Sequence, residues 1–207
     1  MEKSTAHKFD KIAKIYDTPV FQLFYFWAHK SCIKFLRDYI KNYFKVLDVA
    51  CGTGIFLEKL SKQYKGLELF GIDNSEKMIS VARRRSDLIN FKIADAEKIP
   101  FEDSSFDLIT IIDAIYYFQD KEALLKECSR LLKTNHRLFI FYPAIDLLPK
   151  FILKQIQFTS RLFFYNSEEY SIFPKVKELK KMADMFNFKI DANKIKMMHR
   201  FIIFTKK

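Results

Sequence analysis

The 207-residue chain contains only four glycines, five prolines, three cysteines and one tryptophan. The cysteines, Cys32, Cys51 and Cys128, are odd in number and show no disulfide or metal-ligand spacing. That excludes a disulfide scaffold and fits a reduced, cytoplasmic setting. His7, His29, His136 and His199 are scattered without pairing, so no metal site is expected. No stretch has the uncharged apolar length that spans a bilayer, and the opening Met1-Glu2-Lys3-Ser4-Thr5 lacks the apolar region of a secretory leader. Internal repeats and low-complexity segments are absent too. One compact domain over 1–207, large enough for a real core, is the expectation.

Scarcity makes the glycines informative. Two of the four fall in one loop, Val46-Leu47-Asp48-Val49-Ala50-Cys51-Gly52-Thr53-Gly54. A short apolar run reads as a buried strand, a tight turn follows, and Ile55-Phe56-Leu57-Glu58-Lys59-Leu60 reads as a helix. Glycine opens backbone conformations closed to other residues and lets a ligand approach the main chain. Strand, glycine turn and helix start together form the nucleotide-binding corner of a doubly wound sheet.

Electrostatics narrows the ligand. A dinucleotide fingerprint needs a third small position, which here falls on Leu57, and no Gly-Lys-Ser/Thr follows to cradle a phosphate. Asp48 stands where a pyrophosphate would lie and would repel it. The same carboxylate suits a ligand with a positively charged amine, so a nucleoside bearing an amino-acid tail fits this corner. Asp73 ends the next apolar run, Leu67-Glu68-Leu69-Phe70-Gly71-Ile72, 19 residues past Gly54, where an acid accepts hydrogen bonds from both ribose hydroxyls. Asn74-Ser75 then caps a helix with apolar positions Met78, Ile79 and Ala82. Asp95, in Ile93-Ala94-Asp95-Ala96-Glu97, ends a third strand within reach of an adenine amino group.

This series of residues resembles the class I S-adenosylmethionine-dependent methyltransferases, closest to the ubiquinone and menaquinone biosynthesis C-methyltransferase group. Val-Leu-Asp-Val-Ala-Cys-Gly-Thr-Gly resembles the first motif, and Gly71-Ile72-Asp73 through Met78 the second. Ala94-Asp95-Ala96-Glu97-Lys98-Ile99-Pro100-Phe101, then Phe106-Asp107-Leu108-Ile109, resembles the third and the strand after it. Phe9-Asp10-Lys11-Ile12-Ala13-Lys14-Ile15-Tyr16-Asp17 resembles the group's amino-terminal opening, a helix that lids the cofactor in relatives. The likeness covers roughly residues 9–143. One departure is Lys133-Thr134-Asn135-His136, where relatives carry Lys-Pro-Gly-Gly; Asn tolerates a left-handed turn nearly as well.

The resemblance implies an α/β fold: a doubly wound, mostly parallel seven-stranded sheet of Rossmann-like methyltransferase type, with an amino-terminal helical lid and a helical cap insertion. A lid over 1–45, a cofactor core over 46–143, a cap over 144–174 and a closing helix with strands over 175–207 make up the domain. It implies S-adenosyl-L-methionine as cofactor and S-adenosyl-L-homocysteine as product. Tyr16, Asp48, Ala50, Cys51, Gly52, Gly54, Asp73, Asn74, Met78, Asp95, Ala96 and Asp113 are the expected cofactor residues. Asp113, Tyr116 and Tyr117, after the fourth strand, are the candidates for catalysis: a polar or basic role for Asp113, stacking or orienting for the tyrosines, each of which could equally be plain wall. Cys51 reads as a packing residue, not a nucleophile.

The expected layout has helices over about 9–17, 20–41, 54–63, 75–86, 120–132 and 175–186. Strands are expected at 46–50, 67–72, 90–94, 106–112, 137–142, 188–196 and 199–206. The net charge of +11 is uneven across it. Residues 46–143 hold 14 Lys/Arg against 15 acids, 1–45 hold 9 against 4, and 144–207 hold 13 against 6. Both basic appendages are aromatic-rich, with five aromatics in Phe21–Trp27 and Phe151, Phe158, Phe163, Phe164, Tyr165, Tyr170 and Phe173 in the cap. Either they fill a small core of their own, or they form an apolar acceptor pocket or a face resting on anionic lipid. A small apolar or lipid-like acceptor, such as a prenylated quinone precursor, is therefore favoured, with peripheral membrane contact open. A nucleic-acid methyltransferase is the alternative the charge permits, although the chain lacks an Asn/Asp-Pro-Pro-aromatic motif and a Pro-Cys nucleophile. A non-catalytic cofactor-binding module is the third reading.

Overall fold

A computed structural model describes residues 9, 10, 13, 16–144, 173–196 and 198–207, with the backbone alone over 19–26. Helix α1 is Pro19–Leu36, followed by β1 Lys45–Val49, α2 Ile55–Gln63, β2 Glu68–Asp73, α3 Glu76–Arg83 and β3 Ile89–Ile93. Then come β4 Phe106–Ile112, a 3₁₀ turn Ile115–Tyr117, α4 Lys121–Leu131, β5 Leu132–Pro143, α5 Val176–Met185, β6 Phe188–Lys196 and β7 His199–Lys206. Residues 9, 10, 13 and 16 are helical as well.

The seven strands form one sheet in the order β3-β2-β1-β4-β5-β7-β6. β1 pairs in parallel with β2 and β4, β2 with β3, and β4 with β5. β7 runs antiparallel to both β5 and β6. The chain order reverses between β1 and β4, and ligands in open α/β sheets bind at that switch point, beyond the carboxyl ends of the strands.

Strand alternation divides the apolar residues between two faces. Leu47, Val49, Ile109, Ile111, Leu138 and Ile140 pack against Leu124, Leu125, Cys128 and Leu131 of α4 and Leu179 and Ala183 of α5. On the other face Val46, Leu108, Phe139, Phe141 and Phe201 meet Cys32 and Leu36 of α1, Phe56, Leu57 and Leu60 of α2, and Ile79 and Ala82 of α3. All seven residues of β4 are buried, as a central strand covered on both sides requires.

Two boundaries differ from expectation by five residues. α1 ends at Leu36 instead of running to 41, because the amides of Tyr39 and Ile40 both turn back to the Leu36 carbonyl. β5 begins at Leu132, not 137: Leu132 pairs with Phe106, and a register shift follows. Asn135 takes up that irregularity at φ 64°, the left-handed geometry for which asparagine substitutes for glycine. The cap expected over 144–174 lies outside the described residues except at Ala144, Phe173 and Pro174.

Candidate functional site

The corner after β1 is built by backbone. Ala50 (φ 59°), Gly52 (φ 55°) and Gly54 (φ 77°) all adopt left-handed geometry within five residues. The two glycines of the loop have different reasons to be there. A Cβ on Gly52 would meet nothing within 4 Å, so its bare backbone faces open space. A Cβ on Gly54 would come within 2.6 Å of Phe91 Cζ, so that position packs the turn against β3. Gly71 is bare for a similar reason, its missing Cβ falling 2.7 Å from Phe91 and 2.8 Å from Cys51 Sγ. Cys51 is buried, and burial pushes its thiol well up, consistent with packing.

The four acids named from the sequence occupy distinct environments. Asp73 accepts from the Gly52 amide (3.0 Å) and the Ser75 amide (2.9 Å), which fixes both carboxylate oxygens beside Gly52. Burial raises its pKa, and these backbone donors pull it back. Asp48 lies beneath the loop, where its Oδ1 accepts from Thr110 Oγ1 at 2.6 Å. Burial pushes it up to about 7 against the downward pull of that hydroxyl. Asp95 is exposed and accepts from the Glu97 amide, standing between two lining residues, Ala94 and Ala96. Asp113 is half-buried as a residue with its Oδ1 enclosed; burial pushes it up to about 7, and that oxygen has no hydrogen-bond partner among the described residues.

Asp73 and Asp113 face a cavity at the carboxyl ends of β1, β2 and β4. Phe9, Tyr16, Ala50, Gly52, Asp73, Met78, Ile112, Asp113, Ala114 and Tyr117 line it. A smaller adjoining space is lined by Ala50, Ile72, Asp73, Asn74, Ala94, Ala96 and Phe118. Of the residues expected from sequence, Tyr16, Ala50, Gly52, Asp73, Asn74, Met78, Ala96, Asp113 and Tyr117 are thus brought together. Asp48, Cys51, Gly54, Asp95 and Tyr116 are not among the lining residues. Tyr116 is turned instead onto Phe173, its ring stacked at 4.2 Å.

Sequence reasoning missed Phe9, Ile112, Ala114 and Phe118 as walls. Phe9 sets its ring edge-on to Tyr117 at 5.1 Å. It also missed how the lid is fastened. Asp10 accepts from Ser75 Oγ (2.6 Å), and Asp17 from Thr53 Oγ1 (2.7 Å) and from Arg85. Arg85 also donates to the Thr53 carbonyl (2.7 Å) and Glu58 (2.9 Å), so one guanidinium ties lid, loop and α2 together. The signal was available: Asp10 and Asp17 lie two helical turns apart, on one face of the segment.

The donor set suits a nucleoside with an amino-acid tail. Asp73 presents oriented acceptors, the bare Gly52 backbone admits close approach, and the buried carboxylate of Asp113 offers a lone acceptor for a cation. The main cavity measures only about 50 Å³, so it must widen to admit such a ligand.

Comparison with known proteins agrees. A family described as Methyltransferase domain matches residues 47–140. The demethylmenaquinone methyltransferase of Staphylococcus aureus strain MRSA252 is 33% identical over 214 residues, covering 91% of this chain and 88% of that protein. The demethylmenaquinone methyltransferase of Thermotoga maritima is 36% identical over 150 residues, or 72% of this chain; the matched region spans 63% of that relative's length. Among solved structures, a SAM-dependent methyltransferase of Thermotoga maritima described as a possible histamine N-methyltransferase superposes with a TM-score of 0.72. It shares 20% identity and is covered over 97% of this chain and 99% of that one, a likeness of fold. Corner, switch-point cavity and relatives together place this chain in the class I S-adenosylmethionine-dependent methyltransferases, close to the ubiquinone and menaquinone biosynthesis C-methyltransferases.

Proposed function

We propose that the enzyme methylates an apolar, quinol-type acceptor, with Asp113 receiving the proton the acceptor gives up. When bound, S-adenosylmethionine supplies an electrophilic methyl group on a sulfonium. Asp73 and the Gly52 backbone hold the nucleoside end, and Met78, Ala96 and Asn74 frame the base. Phe9, Tyr16, Ile112 and Tyr117 offer apolar wall against which an acceptor ring can align, and alignment in a dry site supplies a large share of the barrier reduction. A hydroquinone ring gains a carbon–methyl bond only as it loses a proton. Asp113, buried with Oδ1 open and its pKa moved up to about 7, is suited to take it.

The single observation carrying this reading is that lone buried carboxylate facing an aromatic-walled cavity. The names of the two curated relatives support the acceptor class. In support of one working unit, the segment before α1 lids the cavity through Phe9 and Tyr16. Incubating the protein with labelled cofactor and a demethylated naphthoquinol should yield methylated quinol, with kcat/KM rising through about pH 7 as Asp113 loses its proton. Asp113→Asn should bind cofactor yet lose at least a hundredfold in turnover, and near-wild-type turnover in that variant ends the assignment.

A further inference from the structure

A second groove, about 370 Å³, lies between α1 and the β6–β7 hairpin. Its floor is apolar and aromatic: Phe35, Tyr39, Ile195 and Phe201. Phe35 is the keystone, stacked 5.6 Å from Phe139 and tilted 5.1 Å from Phe201. The rim is basic, with Lys34, Lys194 and Lys196, and Lys194 Nζ sits 5.8 Å over the Phe35 ring. Asp38 is the one acid lining it among the described residues.

The surface continues past the groove. Trp27, Ser31 and Lys34 follow one another at spacings of four and three, a single stripe along α1, with Asp38 just past the helix end. Trp27 is 56% exposed at the upper end of that stripe, with Lys30 Nζ 6.0 Å from its ring. On the hairpin Ile195 (46%) and Met198 (47%) are also out in solvent. The hairpin tip stands at the cavity end of the sheet, since His199 pairs with Pro143 and the Ala144 amide bonds to the Met198 carbonyl. Large apolar side chains ringed by Lys30, Lys34, Lys194 and Lys196, with Asp38 as the acid among the named groups, form an amphipathic face of net positive charge.

We propose that this face is where the enzyme rests on an anionic lipid bilayer, Trp27, Ile195 and Met198 entering the headgroup layer while the four lysines meet lipid phosphates. Burial of apolar side chains and attraction to anionic headgroups add together, and tryptophan's apolar body with a polar N–H favours that boundary. Each lysine near such a surface raises binding by about a factor of five. The proposal rests on the acceptor being lipophilic. It makes the bilayer the store from which the acceptor is drawn, with the docking face and the cavity at the same end of the sheet. Single-stranded nucleic acid fits less well, because two of the three protruding apolar groups are aliphatic and offer no ring for base stacking.

The test uses the full chain with vesicles of phosphatidylcholine, with and without phosphatidylglycerol, and two variants. One carries Trp27→Ser and Ile195→Ser with every charge kept; the other carries Lys34→Ser, Lys194→Ser and Lys196→Ser. Both should keep wild-type turnover on a short-tailed, water-soluble quinol. Each should lose at least tenfold in binding to phosphatidylglycerol vesicles and in turnover of a long-tailed quinol embedded in them. Unchanged vesicle binding in both variants overturns the proposal. So does loss in the lysine variant alone together with equally tight RNA binding, and so does a concentration-dependent dimer that the Trp27/Ile195 variant dissolves. If no quinol is methylated by any form while vesicle binding falls as expected, the docking face stands and the acceptor assignment fails.

Discussion

Thr110 donates its hydroxyl to Asp48 Oδ1 at 2.6 Å across the β1–β4 pair, beneath the cofactor loop. The carboxylate is 2% exposed and still moved up to about 7, so burial outweighs the hydroxyl. Thr110→Val keeps the shape and deletes the donor. Chemical denaturation at pH 7 should show a loss of about 1–3 kcal/mol, the range for stranding a buried polar group. Asp48 acts here by holding the floor of the corner, and the cofactor affinity of the variant should fall by less than that of changes at Asp73.

Asp73 is the sharper lever on binding. With both oxygens fixed by backbone amides, Asp73→Ala should weaken S-adenosylmethionine by on the order of 2 kcal/mol through lost charged hydrogen bonds. Calorimetry returning wild-type affinity would remove the ribose assignment.

The glycines separate binding from stability. Gly52→Ala places a methyl in open space toward the cavity and should reduce cofactor affinity with only about 1 kcal/mol of left-handed strain. Gly71→Ala drives a methyl to within 2.8 Å of both Phe91 and Cys51, and should cost about 1–3 kcal/mol in unfolding free energy. Equal effects of the two on melting temperature would contradict the distinction.

Asp113 carries a stability signature with a definite sign. Its folded-state value, about 7, exceeds the ordinary 3.8, so the folded state holds this proton more tightly than the unfolded chain. Its contribution is therefore most favourable at low pH and declines as pH rises from about 4 to 7, by up to a few kcal/mol. Asp113→Asn removes that penalty. The variant should melt above wild type at pH 8, and the gap should close toward pH 4.5. A variant less stable than wild type at pH 8 would show that the charged carboxylate is favourably bonded in the folded protein.

The lid fastening predicts kinetics. Asp17→Asn and Arg85→Gln each loosen the same junction, so each should speed release of S-adenosylhomocysteine and lower turnover, and the pair together should exceed neither single change by much. Stopped-flow release rates in a double-mutant cycle check this; full additivity would mean that Asp17 and Arg85 act apart.

Much of this was written locally in the chain. Strands β4, β6 and β7 have the bounds expected from the sequence, and Ser75 caps α3 by accepting from the Met78 amide at 3.1 Å, as its position before the apolar run suggests. The corner was legible because two glycines in a glycine-poor chain stand between a strand and a helix. What did not show was long-range. Arg85 meets Asp17 from 68 residues away, and no spacing rule reports such a contact. Gly54 reads from the sequence as a ligand contact because it shares the loop with Gly52, which lines the cavity, whereas Phe91, 37 residues on, fills the space beside Gly54. Tyr116 and Tyr117 are adjacent and chemically alike; only the 3₁₀ turn that carries them sends one to the cavity and the other to Phe173.

Ala50 and Asp113 end adjacent parallel strands, and both are held in left-handed geometry without being glycine. Such positions persist only where surrounding structure over-determines them. On the proposed reading, the half of the cavity toward the nucleoside joins main chain at Ala50 and Gly52 to the Asp73 side chain, which the Gly52 and Ser75 amides hold in place. The half assigned above to the acceptor is lined by Phe9, Tyr16, Ile112 and Tyr117, which single substitutions can reshape. A fold divided this way can change what it methylates while leaving the source of the methyl group untouched, which makes those four positions the place to begin in redirecting this enzyme to a new acceptor.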